Sequence, residues 1–383
     1  MTRLFVDVHI LQTVPPSNIN RDDTGSPKTA VYGGVTRARV SSQAWKRAAR
    51  LMFREQLDPA TLGVRTKRVV ELVAHHIRAM EKSVSDPGTA AKDVLAAAGI
   101  KLEKPQRRKK SDQADDSGTA GNDELEQSKY LLFLSASQSQ RLAELAITAR
   151  TTGQPIDKAA ARAAAQGDNS IDVALFGRMV ADSADLNIDA AAQVAHAISV
   201  HAVDNEFDYF TAVDDRAPDD NAGAGMLGYV EFNSSTLYRY ATVNVAMLRE
   251  NLGDDTATEA AIRTFLNAFV RAMPTGKQNT FANRTLPEAV VISVRTDQPV
   301  NLVGAFEEPV NAAGTARASA AAKALVTRLD AVEHSYGDGT TRTYVVAAGD
   351  SAGELASLGD PMPLTAAIDE VAAAVRAAVG APA

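Results

Sequence analysis

The 383-residue chain has no cysteine, so disulfide scaffolds, thiolate zinc sites and cysteine nucleophiles are excluded. No stretch approaches the roughly 18 consecutive apolar residues of a membrane-spanning helix. Met1-Thr2-Arg3 leads straight into an alternating segment, not a signal-peptide core, and a cytoplasmic protein is expected. Gly33-Gly34 lacks the further glycines and the Lys-Ser/Thr ending of a phosphate-cradling loop. His75 and His76 are adjacent and diverge by about 100° on a helix. His196 and His201 would face opposite ways along a regular strand. Neither pair has metal-ligand spacing, so structural or surface roles are expected and no cofactor is indicated. No repeat of 20–50 residues is present.

Hydrophobic residues make up 45% and charged residues 23%, which suits a globular chain with a real core. The length suggests about two or three units. The net charge of −7 argues against a uniformly basic coat, but it hides an asymmetry. Through Arg54 there are nine basic and three acidic residues, a net of +6, so the rest carries −13. Such segregation points to one face for an anionic partner.

Residues 3 to 12 alternate, with Leu4, Val6, Val8 and Ile10 on one face and Phe5, Asp7, His9 and Leu11 on the other, so a strand opens the chain. A long loop rich in Pro, Ser, Asn, Asp and Gly follows. V-T-R-A-R-V then predicts an extended segment with Arg37 and Arg39 projecting together. Ser41-Ser42 suits the start of a helix whose buried stripe is Trp45, Ala48, Ala49 and Met52. Lys46, Arg47, Arg50 and Arg54 share another side of it, an arc of about 100°. Residues 60 to 165 read as an inserted helical subdomain, holding a basic run and then an acidic one expected to be a disordered loop. Strand character is expected at Ile171 to Val180, a long hairpin arm between Phe207 and Phe232, and strands at Leu237 to Leu248 and Ala289 to Arg295. Helices are expected at Thr256 to Met273 and in the C-terminal region, around a short strand at Thr343 to Ala347. Without insertions the order is strand, helix, strand, strand, helix, strand, the split βαβ of ferredoxin-like and RNA-recognition-motif domains.

The chemical signal is concentrated in Arg21, Arg37, Arg39, the Ser41-Ser42-Gln43 helix start and the cationic helix face. A helix N-terminus offers free N–H groups to a phosphate, and Lys46 and Arg50 would neutralise its charge. Asp22 and Asp23 could bind a divalent cation, although adjacent carboxylates in a polar loop more often cap turns.

N-R-D-D (20–23), Y-G-G (32–34), R-A-R-V-S-S-Q (37–43) and W-K-R-A-A-R (45–50) together resemble the CasC-type backbone subunit of the type I-E CRISPR surveillance complex, Cascade. F-G-R-M (176–179), A-H-A-I-S-V-H-A-V-D (195–204), D-Y-F-T-A-V-D-D (208–215) and E-F-N-S-S-T-L-Y-R-Y (231–240) keep the family's order. The resemblance runs from about residue 3 to residue 285 and is weak in the insertion.

The resemblance implies an α+β protein with an RRM-like palm (1–59, 167–195 and, with C-terminal helices, 233–383), helical fingers (60–166) and a β-hairpin thumb (196–232). It implies a non-catalytic subunit that polymerises along a guide RNA (crRNA) and presents it for pairing with target DNA in antiviral defence. Its partners would be crRNA, target DNA, further copies of itself, the large, small and crRNA-end-capping subunits and, through the complex, a helicase-nuclease. Ser41, Ser42, Gln43, Lys46, Arg47 and Arg50 would contact guide phosphates, with Arg21, Arg37, Arg39, Lys277 and Gln278 as further contacts. Met179 and Phe210 match positions where base stacking is interrupted. The acidic arm, with Asp204, Glu206, Asp208, Asp214 and Asp215, would face the basic surface of the next copy. Arg107, Arg108, Lys109 and Lys110, or Lys129, Arg141 and Arg150, would touch target DNA. A rival reading is a metal-dependent endoribonuclease of a related effector using Asp22 or Asp23.

Overall fold

The computed structural model describes residues 3–58, 61–105, 125–180, 183–212, 226–312 and 314–379. The first elements are β1 (Phe5–Ser17), β2 (Thr29–Tyr32), β3 (Val35–Val40) and α1 (Ser42–Gln56). Next come β4 (Gly63–Thr66), α2 (Val69–Met80), α3 (Pro87–Ala97), β5 (Leu102–Glu103), β6 (Gln127–Ser128), β7 (Leu132–Ser135), α4 (Ala136–Thr152), α5 (Lys158–Gln166) and α6 (Ile171–Phe176). Strands β8 (Ala192–Val194), β9 (Ala197–Ser199), β10 (Glu206–Ala212) and β11 (Met226–Asn244) lead to α7 (Val245–Leu252), α8 (Asp255–Arg271) and α9 (Gln278–Phe281). The chain closes with β12 (Ala289–Arg295), α10 (Arg317–Tyr336), β13 (Arg342–Ala347), α11 (Ser351–Leu355) and α12 (Leu364–Val379). The class is α+β, in two compact units.

The first unit comprises Met1–Glu55, Ala192–Met247 and Asp255–Ala383. Its sheet runs in the order β13-β12-β1-β11-β9-β3-β2, with β8 and β10 pairing β11. Strand β1 lies between β11 and β12, antiparallel to both. The alternation expected of β1 is present, yet its second face is also buried: Asp7 and His9 are almost fully covered. Leu11, Tyr238 and Tyr240 on that side pack against α10 through Ala321, Ala322 and Leu325. Asp7 and His9 are themselves partnered, as burial demands. His9 Nδ1 meets the Tyr238 hydroxyl at 2.9 Å, and Asp7 accepts from the Tyr240 hydroxyl at 3.1 Å and the Val300 N–H at 2.8 Å.

Strand β11 is continuous to Asn244 and α7 begins at Val245, so the strand expected to reach Leu248 ends earlier. Its outer part pairs with β10 from Glu206↔Phe232 to Ala212↔Met226, which makes the expected hairpin arm. The arm begins at β10 and not at residue 196, because β9 is spent in the main sheet against β3 and β11.

The second unit comprises Gln56–Ala191 and Leu248–Asp254. Helices α2 to α5 bury Val73, Ile77, Val94, Leu95, Leu142 and Ala161 among one another. Asp86 caps α3 ahead of Pro87, Asp157 caps α5, and Ser135 with Gln138 forms a reciprocal capping box on α4. The unit is not wholly helical, since β4 pairs β7 and β5 pairs β6. Two expectations need correction. The strand expected at Ile171 to Val180 is instead helix α6, and residues 167–191, expected with the palm, belong to this unit. The Asp172 carboxylate accepts from the Gly63 N–H at 3.2 Å, and Ile171 to Leu175 are all buried, a helical rather than an alternating pattern.

Candidate nucleic-acid interface

In the first unit, the start of α1 is built by the loop before it. Asn20 Oδ1 accepts from the Ser41 N–H at 2.8 Å, and Ser41 Oγ accepts from the Ala44 N–H at 3.3 Å. Ser41 is therefore the capping residue of the expected pair, with Ser42 half-buried and Gln43 exposed. Trp45, Ala48, Ala49 and Phe53 form the buried stripe; Phe53 takes the place expected for Met52, one residue on. Arg47 and Arg54 are exposed, and Lys46 and Arg50 half-buried. Desolvation holds the Lys46 pKa below its ordinary value. Among the described residues, Arg21, Lys46 and Arg47 have no side-chain ion pair. Three cations without a side-chain ion pair thus stand near one helix start, with Asp22 and Asp23 next to Arg21 in the loop.

Along the Ala44–Leu51 face of α1 runs a cleft of about 570 Å³ lined by Arg21, Asp22, Asp23, Arg47, Leu51 and Thr275, among others; Lys46 and Lys277 lie beside it and are not part of its lining. One wall is the loop at 20–27, closed by an Arg21–Pro27 bridge and by the Asp22 carboxylate. Asp22 Oδ1 accepts from the Thr24 N–H at 2.9 Å, the Thr24 hydroxyl at 2.7 Å and the Ser26 N–H at 3.0 Å. Those bonds, the Thr24 hydroxyl first, hold the Asp22 pKa below its ordinary value. The other wall is the segment before α9. Gly276 lies so close to the loop that a Cβ there would stand 2.3 Å from the Ile19 carbonyl oxygen. Lys277 follows in the left-handed region at φ 49°, and Lys277 and Gln278 are both half-buried. The structure thus brings together Arg21, the α1 start and the Lys277 segment, which lie far apart in sequence.

Arg37 is not part of this surface. Alternation does place it two residues from Arg39, but its guanidinium is fully buried. It donates to the carbonyls of Tyr32, Ser199, Phe306 and Glu307 at 3.0–3.1 Å, tying the β2–β3 hairpin to its neighbours. Four of its five N–H donors are spent on backbone carbonyls and the group is buried, so it is committed to the fold and not to a phosphate. Arg39 is half-buried, donating to the Thr29 carbonyl and meeting His196 Nδ1 at 3.2 Å. His201 is held by the Ala202 carbonyl and the Thr236 N–H. Among the described residues, no three His, Asp or Glu side chains converge as a metal-holding group.

The two wedge candidates belong to different units. Met179 is 81% exposed, at the end of a segment fixed from within. The adjacent Arg178 is buried and donates to the carbonyls of Leu186, Phe133 and Ala165 and to Gln138 Oε1. Its main chain pairs with Ile188, and Gly177 sits at φ 77°, where a side chain would be strained. The sequence signal for Arg178 lies in F-G-R-M, a glycine and an arginine directly before an apolar residue. Phe210 is 39% exposed on β10, its ring lying over Gly228 on β11. A Cβ at Gly228 would come within 2.5 Å of that ring. On the opposite face of the arm, Tyr209 and Tyr229 pair at 5.2 Å between centroids.

In the second unit, the Lys129 ammonium lies 5.2 Å from the Tyr130 ring centroid. Arg141 pairs with Asp168, and Arg150 with Asp93 at 2.7 Å, so both already have carboxylate partners. Arg107, Arg108, Lys109 and Lys110, together with the loop around them and with Asp214 and Asp215, lie outside the described residues.

Residues 6–371 match the family model described as CT1975-like protein. A chain of a solved "CRISPR RNA-guided surveillance complex, pre-nicking" is 34% identical with a TM-score of 0.83, covering 97% of this chain and 100% of that one. A chain of a "CRISPR RNA-guided surveillance complex" is 30% identical with a TM-score of 0.72, covering 97% of this chain and 99% of that one. No curated protein matches. The chain belongs to the CT1975-like family, as a CasC-like backbone subunit of a CRISPR surveillance complex of the Cascade kind.

Proposed function

We propose that this chain is a non-catalytic, type I-E backbone subunit that polymerises along crRNA, holds its phosphates in the cleft of the first unit and presents segments of it for pairing with target DNA. The observation that carries this reading is the set of unpaired cations Arg21, Lys46 and Arg47 beside the Ser41-capped helix start. Such a site reads phosphate and not sequence, as a holder of arbitrary guides must. Within the sheet, β1 and β11 are central, flanked by β12 and β9. That is the strand arrangement of a ferredoxin-like split βαβ, and it supports an RRM-like palm.

Met179, directly after the buried Arg178, and Phe210, on the arm, are exposed apolar side chains suited to wedging beside unstacked bases. Copies would associate head to tail, since a heterologous contact that does not close gives a filament. The helical unit would be the fingers, with Lys129 and the 107–110 run toward the DNA, and the β10–β11 hairpin the thumb. The cytoplasm, the remaining complex subunits and a recruited helicase-nuclease belong to the same reading. Asp22 serves its own loop, which supports a carrier of RNA over a nuclease. Purification with the co-purifying proteins, followed by nucleic-acid extraction, tests the proposal. A small RNA of defined length is expected; its absence would overturn the reading.

A further inference from the structure

The root of the hairpin arm is joined to both walls of the cleft. Glu231 Oε1 accepts from the Ser26 hydroxyl of the Arg21 loop at 2.8 Å, and Oε2 accepts from Asn205 Nδ2 at 3.2 Å, directly before β10. The Glu231 carbonyl accepts from Asn18 Nδ2 at 2.9 Å, and that same amide donates to the Gly25 carbonyl within the loop. Asn233 Nδ2 donates to Asn205 Oδ1 at 2.9 Å, so both strands of the arm share the network. The next residue, Phe232, points to the other face of the strand. Its ring lies 5.8 Å from that of Phe281 in α9, four residues after Lys277. Adjacent residues of one strand therefore grip the two walls that line the cleft.

A two-stranded ribbon is only marginally stable alone, so its order depends on what holds its root. We propose that Glu231 is a positioning residue that couples RNA occupancy of the cleft to the order of the arm carrying Phe210, with the Phe232–Phe281 contact as the second link. RNA phosphates on Arg21 fix the 20–27 loop; the loop presents Ser26 to Glu231; Glu231 fixes Asn205 and the start of β10. The coupling is reciprocal, so an arm held in place also favours the loop conformation that binds RNA. The inference rests on the proposed RNA-binding function of this cleft.

The test is amide hydrogen exchange of the full chain, free and saturated with a single-stranded RNA of mixed sequence. RNA is expected to slow exchange in 206–212 and 226–232 of the wild type. In Ser26→Ala, a mild change in an exposed loop, and in Glu231→Gln, that slowing should shrink by about fivefold or more. Ser26→Thr should restore it, and the salt slope of RNA binding should stay at the wild-type value because no phosphate contact is removed. If the slowing in both variants equals that of the wild type, RNA orders the arm by direct contact alone and the coupling is refuted. If the wild type binds no RNA, the functional reading itself falls and takes this inference with it.

Discussion

The Arg239 guanidinium lies 3.8 Å from the centroid of the Trp45 ring and 4.8 Å from that of Phe269, sandwiched between α1 and α8. It donates to Gln12 Oε1 at 2.6 Å and to the Phe269 carbonyl, so a buried cation joins the sheet to both helices. Burial draws its pKa down to about 9, which still leaves it charged at neutral pH. The α1 start is held in place from beneath by this contact. Arg239→Ala should cost about 1–3 kcal/mol for each buried neutral acceptor left unsatisfied, here Gln12 Oε1 and the Phe269 carbonyl. Urea unfolding at pH 7 measures it, and RNA binding should weaken as α1 loses its seat.

Arg37 and Arg47 give opposite signatures although both belong to the basic N-terminal segment. Arg47 is exposed on the cleft and has no ion pair, whereas Arg37 is buried among carbonyls. Arg47→Ala should lower RNA affinity equally for all sequences and flatten the salt slope by about 0.7, the single-strand value per phosphate contact. Stability should change by no more than about 0.5 kcal/mol. Arg37→Ala should instead lower stability by about 1–3 kcal/mol per buried acceptor left unsatisfied, with the salt slope preserved. Binding titrations at several salt concentrations, paired with denaturant curves, separate the two.

That contrast shows where sequence reading ends. The α1 stripe, the Ser41 cap, the arm and strand β12 were legible because each is a local period or a local donor-acceptor pair. The role of Arg37 was not, since alternation gives the side of a strand but says nothing about what covers it: here residues 199 and 306–307 do. The same limit hid Asp7 and His9, which alternate like an exposed face and lie buried against Tyr238, Tyr240 and Val300. The continuity of Arg21, the α1 start and Lys277 depends on Gly276 approaching Ile19 across more than 250 residues, which no local pattern encodes.

Met179→Ala and Phe210→Ala test wedging without disturbing the fold. Met179 is 81% exposed and Phe210 lies on the surface of the arm, so neither substitution opens a core cavity. Unfolding midpoints should stay near the wild-type value, while the energy per unstacked base, about 1–3 kcal/mol for an aromatic platform, is lost at the Phe210 step. An RNA carrying fluorescent base analogues at successive positions reads this as a loss of the periodic bright signal. Gly228→Val should mimic Phe210→Ala by pushing the ring off its seat. A bright pattern unchanged in all three variants would remove the wedge role.

Asp7 and His9 shift in opposite senses within the same buried region, and together they flatten the pH dependence of folding. Burial lowers His9 to about 3 and raises Asp7 to about 6. When unfolded, His9 takes up a proton below about 6.5, whereas folded His9 stays neutral until about 3, so acid costs stability through this residue. Folded Asp7 is protonated below about 6 while the unfolded residue waits until about 3.8, so acid adds stability through this one. Between about pH 6 and pH 4 each state then holds one proton on the pair, and the two contributions cancel. Asp7→Asn removes the compensating uptake. Relative to wild type, its stability should fall by about 1.4 kcal/mol for each pH unit below 6, the linkage value of one proton. His9→Phe should reverse the sign and gain relative stability toward pH 4. Urea midpoints at half-unit intervals decide the matter; parallel curves for the three proteins would show that these groups do not titrate in the folded chain as their burial requires.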